Sequence, residues 1–102
     1  MDKQTKLEIE AASWRKLLNH FQKRTDVQNI DLMNMAGFCR NCFAKWYMGE
    51  ANERGIEMDY DQAREVVYGM SYDEYKDKHQ KKASDAQLES FNAIKWGENT
   101  TE

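Results

Sequence analysis

Two cysteines three residues apart, in Cys39-Arg40-Asn41-Cys42, are the part of this sequence richest in chemistry. On a helix that spacing sets both sulfurs on one face, with β-carbons about 5–6 Å apart. Two soft thiolates so placed supply half of a tetrahedral zinc site. At the start of a helix, where free backbone N–H groups favour the thiolate, the same pair is a redox-active dithiol. Inside an apolar stripe the two are small buried hydrophobes, the commonest state of free cysteine. A zinc site needs two further ligands, and only His20 and His79 remain as nitrogen donors. His20 ends the first helical stretch, so Cys39, Cys42 and His20 form the candidate metal set, with zinc as the cofactor it would take.

A second group of polar residues shares that stretch. Asp31, Asn34 and Asn41, with Lys45, fall near one another on a helical wheel. They could line a polar pocket and hydrogen-bond a small ligand. They are more simply a solvated face, or amides that satisfy backbone groups where helices meet. Serine–histidine–aspartate arrangements, glycine-rich phosphate loops and the His-Glu-x-x-His pattern are missing from the sequence. Nothing other than cysteine is nominated as a nucleophile, and the balance leans away from an enzyme. The basic cluster Lys76, Lys78, His79, Lys81 and Lys82 is neutralised by Asp73, Glu74, Asp77 and Asp85, which marks an ion-paired helix end.

The elements that must position these residues are helices. Leu7, Ala11, Trp14, Leu18 and Phe21 recur in steps of four and three, and Thr5 with Glu8 forms a capping-box pattern, so a first helix is expected over 5–24. Thr25 and Gln28 repeat that pattern before a second stripe of Leu32, Met35, Cys39, Cys42 and Trp46, with Phe43 beside it. The stripe crosses Gly37 in phase and predicts one long helix over 27–54, stopped by Gly55, although a mid-helix glycine costs about 1 kcal/mol. Were the helix to break at Gly37, Cys39 would become a first-turn residue. Three shorter helices follow. The first is capped by Asp59 or Asp61 and ends at Gly69; Ser71 with Glu74 opens the second. Ser84 with Gln87 opens the third, which carries Leu88, Phe91, Ile94 and Trp96 and ends at Gly97. No sustained period-two run favours strands. The expected fold is all-α, a compact bundle of about five helices, two long and antiparallel followed by three shorter. It forms a single domain over 1–97 with a polar tail at 98–102, and its core joins Trp14, Leu18 and Phe21 to Met35, Phe43 and Trp46.

Composition sets the outer limits. A chain of 102 residues fits one domain, and three Trp, five Tyr and four Phe give it large side chains to bury. The net charge of −3 provides no basic field for a nucleic-acid partner. No window approaches the roughly 20 apolar residues of a membrane span. The polar first residues read as no signal peptide, which points to a cytoplasmic protein with reduced thiols. The heptad seam of the first helix, and more aromatics than a small interior can hide, point to a soluble, non-enzymatic helical interaction module. It would bind a second copy or a protein partner. The alternative is a thiol-dependent metal-binding or redox site at Cys39 and Cys42.

The stretch Thr25-Asp26-Val27-Gln28-Asn29-Ile30-Asp31-Leu32-Met33-Asn34, then Ala36-Gly37-Phe38-Cys39-Arg40-Asn41-Cys42 and Lys45-Trp46-Tyr47, resembles the short bacterial family catalogued as domain of unknown function 1244. Ala63-Arg64-Glu65, Val67-Tyr68-Gly69-Met70 and Tyr72-Asp73-Glu74 are similar to the same family, so the resemblance spans roughly 7–92. It implies a small all-helical bacterial domain and assigns no activity, ligand or site residue.

Overall fold

A computed structural model describes residues 1–94 of the chain. Trp96 and Gly97, read above as the end of the last helix, and the tail beyond them lie outside the described residues.

Helix α1 runs Lys3–Lys23 and is capped by Asp2, whose carboxylate accepts from the Thr5 N–H at 2.7 Å. The Thr5 amide is thus satisfied from before, and the helix opens earlier than the Thr5–Glu8 pattern suggests. His20 and Lys23 sit in its last turn, where positive charge suits the dipole. Helix α2 runs Asn29–Ala36, opened by Gln28, whose N–H donates to Asp31 Oδ2 at 2.9 Å. Gly37 then adopts φ 79, a left-handed conformation that glycine enters without steric cost, and its N–H closes on the Met33 carbonyl at 2.9 Å.

Helix α3 runs Arg40–Glu53 and starts afresh from an extended Cys39. The expected single helix over 27–54 is therefore two helices. The physical reason is local: Gly37 ends the first one by a standard left-handed stop, and the apolar residues beyond it still reach the core from the second.

Helices α4, Tyr60–Tyr68, α5, Tyr72–His79, and α6, Asp85–Ala93, complete six helices among the described residues, with no strand. Asp59, Ser71 and Ser84 cap them through the N–H groups of Gln62, Glu74 and Gln87, as their sequence patterns suggest.

The core lies where α3 crosses α4. Ala44, Ala63 and Val67 have no exposed surface there, and small side chains let two helices approach closely. Phe43 packs edge-on against Phe38 and Trp46, each at 5.2 Å between ring centres, and tilts against Phe21 of α1. Trp14, Leu18, Phe21, Phe43 and Trp46 join this core as expected. Met35 does not: it is 79% exposed, because the stop at Gly37 lets α2 turn that side chain outward. The first half of α1 runs past the body, and residues 1–10 are all exposed.

Candidate functional site

The break at Gly37 sets the thiol pair at the head of a helix. Cys39 occupies the N-cap position of α3 with extended backbone (φ −142, ψ −176), and Cys42 lies one turn in. Their sulfurs are 4.0 Å apart, and both cysteines are unbridged. Cys39 is buried and Cys42 half-buried. Burial pushes the Cys39 thiol above its ordinary range. The Asn41 and Cys42 N–H groups face its sulfur and pull the other way, without closing a full cap hydrogen bond. Tyr60 of α4 lies within electrostatic reach of both sulfurs. His20 is exposed beside Phe21, at 6.5 Å between rings. Among the described residues, no three His, Cys, Asp or Glu side chains gather as a metal-holding group, so His20 is not brought to the thiols.

Arg40, between the two cysteines, is the residue that sequence reasoning missed. It is 1% exposed and makes no ion pair with a carboxylate among the described residues. Its guanidinium donates to the carbonyls of Phe21 (3.1 Å), Arg24 (3.0 Å) and Val27 (2.8 Å), and to Asn29 Oδ1 (3.1 Å). It also lies over the rings of Phe21 and Tyr75, at 5.4 and 5.7 Å. The charge thus meets the negative end of α1 and two aromatic faces, with the Asp26 carboxylate in electrostatic reach. A sequence signal existed only in outline: a cation set within an apolar stripe. Its partners are backbone carbonyls, which no residue type announces.

Asn29 extends this hub. Its Nδ2 donates to the Tyr68 hydroxyl at 2.9 Å, and that hydroxyl donates to Asn41 Oδ1 at 2.7 Å. Burial holds the Tyr68 phenol far above its ordinary range. The ends of α1 and α4 and the starts of α2 and α3 therefore meet at one network, which fixes the turn that carries the cysteines.

The three polar candidates make different contacts. Asn41 lines a cleft of about 280 Å³ with Asn29, Tyr72, Tyr75 and Lys81. Asp31 and Asn34 instead tie α6 to α2: Gln87 Nε2 donates to Asp31 Oδ1 at 2.8 Å, and Asn34 Nδ2 donates to the Gln87 carbonyl at 3.1 Å. In the basic cluster, Lys78 pairs with Glu74 at 2.7 Å and Lys76 lies over the Tyr72 ring at 5.2 Å, as an ion-paired helix end should.

A further feature is a groove of about 460 Å³ along α1, lined by Trp14, Leu18, Tyr47 and Val66 together with Ala11 and Arg15. Trp14 stacks on Tyr47 at 5.4 Å, nearly parallel, within that lining. Val66 of α4, 39% exposed, also lines it.

Fold and site together define a small all-helical domain, built round a buried arginine, with a thiol pair at a helix head. Residues 27–93 match the family described as "Protein of unknown function (DUF1244)", and the chain belongs to that family. Helix α1 lies outside the matched span, which is narrower than the resemblance read from the sequence. No curated protein matches the chain. No helix among the described residues is long and apolar enough to cross a membrane.

Proposed function

We propose that this protein is a non-enzymatic helical interaction module whose first partner is a second copy of itself, paired antiparallel through α1. The observation that carries this reading is the overhang of α1. Residues 1–10 are all exposed, and Leu7 and Ile9 among them stand 50% and 49% exposed.

The overhang and the groove fit each other. Leu7, Ala11, Trp14 and Leu18 follow one heptad seam, so an antiparallel partner sets its Leu7 opposite Leu18, in the groove between Trp14 and Val66. Ala11 at the crossing keeps the helices close. Two-fold symmetry then brings Glu8 of each copy beside Arg15 of the other, on the groove edge. Arg15 has no ion-pair partner among the described residues, and Glu8 accepts only from Gln4, at 3.0 Å on the surface. The surface is self-complementary in shape and in charge.

Charge exchange tests this. In light scattering, E8R alone and R15E alone should each weaken the dimer, and the double variant E8R/R15E should restore it. Single variants that leave the mass unchanged, or a double variant no better than either, would overturn the pairing.

A further inference from the structure

We infer that Cys39 and Cys42 are a reversible dithiol–disulfide couple in which Cys42 is the attacking thiol and Cys39 the resolving one. The proposal stands on three features of geometry. The sulfurs are already 4.0 Å apart, so rotation of the two side chains, without movement of any helix, takes them toward the bonded separation of about 2.05 Å. The pair spans a single turn at the head of α3, where Cys39 has extended rather than helical backbone and its side chain is free of the ladder behind it. The two cysteines also differ in access: Cys39 is 8% exposed, whereas Cys42 is half-buried and open to a reagent.

The surroundings reinforce this division. Arg40 and Asn41, the two residues between the cysteines, are held by the α1 carbonyls and by Tyr68, so the turn stays in place when the sulfurs react. The Asn41 and Cys42 N–H groups face the Cys39 sulfur and receive it when it becomes the second nucleophile. Among the described residues no third His, Cys, Asp or Glu gathers with them as a metal-holding group, and the two sulfurs face each other at 4.0 Å.

The oxidant is a small aliphatic disulfide, and the reaction balances with it alone. The Cys42 thiol gives its proton to solvent, and the thiolate attacks one sulfur of the disulfide. One small thiol leaves and takes up a proton, and a mixed disulfide remains on Cys42. Cys39 then gives up its proton and attacks Cys42 Sγ. The mixed bond breaks, the second small thiol leaves and is protonated, and the Cys39–Cys42 bond forms. Two protein thiols are oxidised, one small disulfide is reduced to two thiols, and no proton is gained or lost overall.

The test uses the full chain incubated with oxidised glutathione, acid-quenched and weighed intact. The expected product is lighter by two hydrogen atoms, carries no adduct, and returns to the starting mass with dithiothreitol. C39S should stop as the glutathione adduct on Cys42, and C42S should react about tenfold more slowly than C39S. Both thiols remaining reduced in the native chain, while the urea-unfolded chain oxidises under the same conditions, would overturn the couple. Equal reaction of C42S and C39S, with both variants retaining wild-type circular dichroism, would overturn the assignment of roles. The wild-type mass needs no variant to fold, so the couple is tested even where C39S does not.

Discussion

Replacing Arg40 with methionine removes the side chain that ties the end of α1 to the starts of α2 and α3, and the sign of the effect is not trivial. Taking a guanidinium out of water is costly, and an apolar residue of similar length escapes that cost. Against it stand the acceptors left behind. The Phe21 carbonyl is buried, so losing its donor costs about 1–3 kcal/mol. The Arg24 and Val27 carbonyls and Asn29 Oδ1 are part-buried, and water can replace some of what they lose. Two aromatic faces lose a cation, at about 0.5–2 kcal/mol each. Weighing these, R40M should cost about 3 kcal/mol, a large share of the roughly 5–15 kcal/mol that keeps a domain folded. R40K retains the charge but not the planar fork that spans separate acceptors, and should cost about 2 kcal/mol. Urea unfolding followed by tryptophan fluorescence reads both, and melting should fall by about 12 °C or more for R40M. An R40M protein as stable as wild type, or more so, would refute the reasoning: desolvation of the guanidinium would then outweigh its hydrogen bonds.

Alkali should unfold the domain earlier than it unfolds a protein with exposed phenols. Burial holds Tyr68, Tyr60, Tyr75 and the Cys39 thiol protonated in the fold, while the unfolded chain releases those protons from about pH 8.5 for the thiol and about pH 10 for the phenols. Stability is thus full below that range and falls as pH rises through it; a urea midpoint constant from pH 8 to 11 would contradict this. Gly69 has φ 76, and a β-carbon there would meet the Gln22 side chain at 3.0 Å, so G69A should cost more than about 1 kcal/mol in the same assay. Q87A removes the hydrogen bond to Asp31 and the acceptor for the Ser84 N–H at the head of α6, while the Gln87 backbone carbonyl still accepts from Asn34; hydrogen exchange should quicken by about tenfold in α6 while α3 and α4 keep their protection.

Much of the helical layout was legible because its signals are local. The capping residues Asp59, Ser71 and Ser84 and the glycine stop at Gly69 act within one turn, and the helices begin and end there. The stripe of α1 was legible for the same reason. The break at Gly37 was not, because periodicity cannot distinguish one helix from two that happen to stay in phase; Cys39 and Phe43 fall inside the core either way. That ambiguity reached the candidate site, since the thiols change character between mid-helix and helix head. Met35 went astray with it. Arg40 and the Asn29–Tyr68–Asn41 chain depend on residues far apart in sequence and on backbone carbonyls, so only the folded arrangement discloses them.

Pairing through α1 is tested most directly by sedimentation equilibrium of the unaltered chain from micromolar to millimolar concentration, in reducing buffer. The expected result is a closed monomer–dimer equilibrium, with a limiting mass twice the 12.1 kDa of the chain, which L7E shifts back toward the monomer. A mass of 12.1 kDa at every concentration would contradict the account, as would a dimer indifferent to L7E.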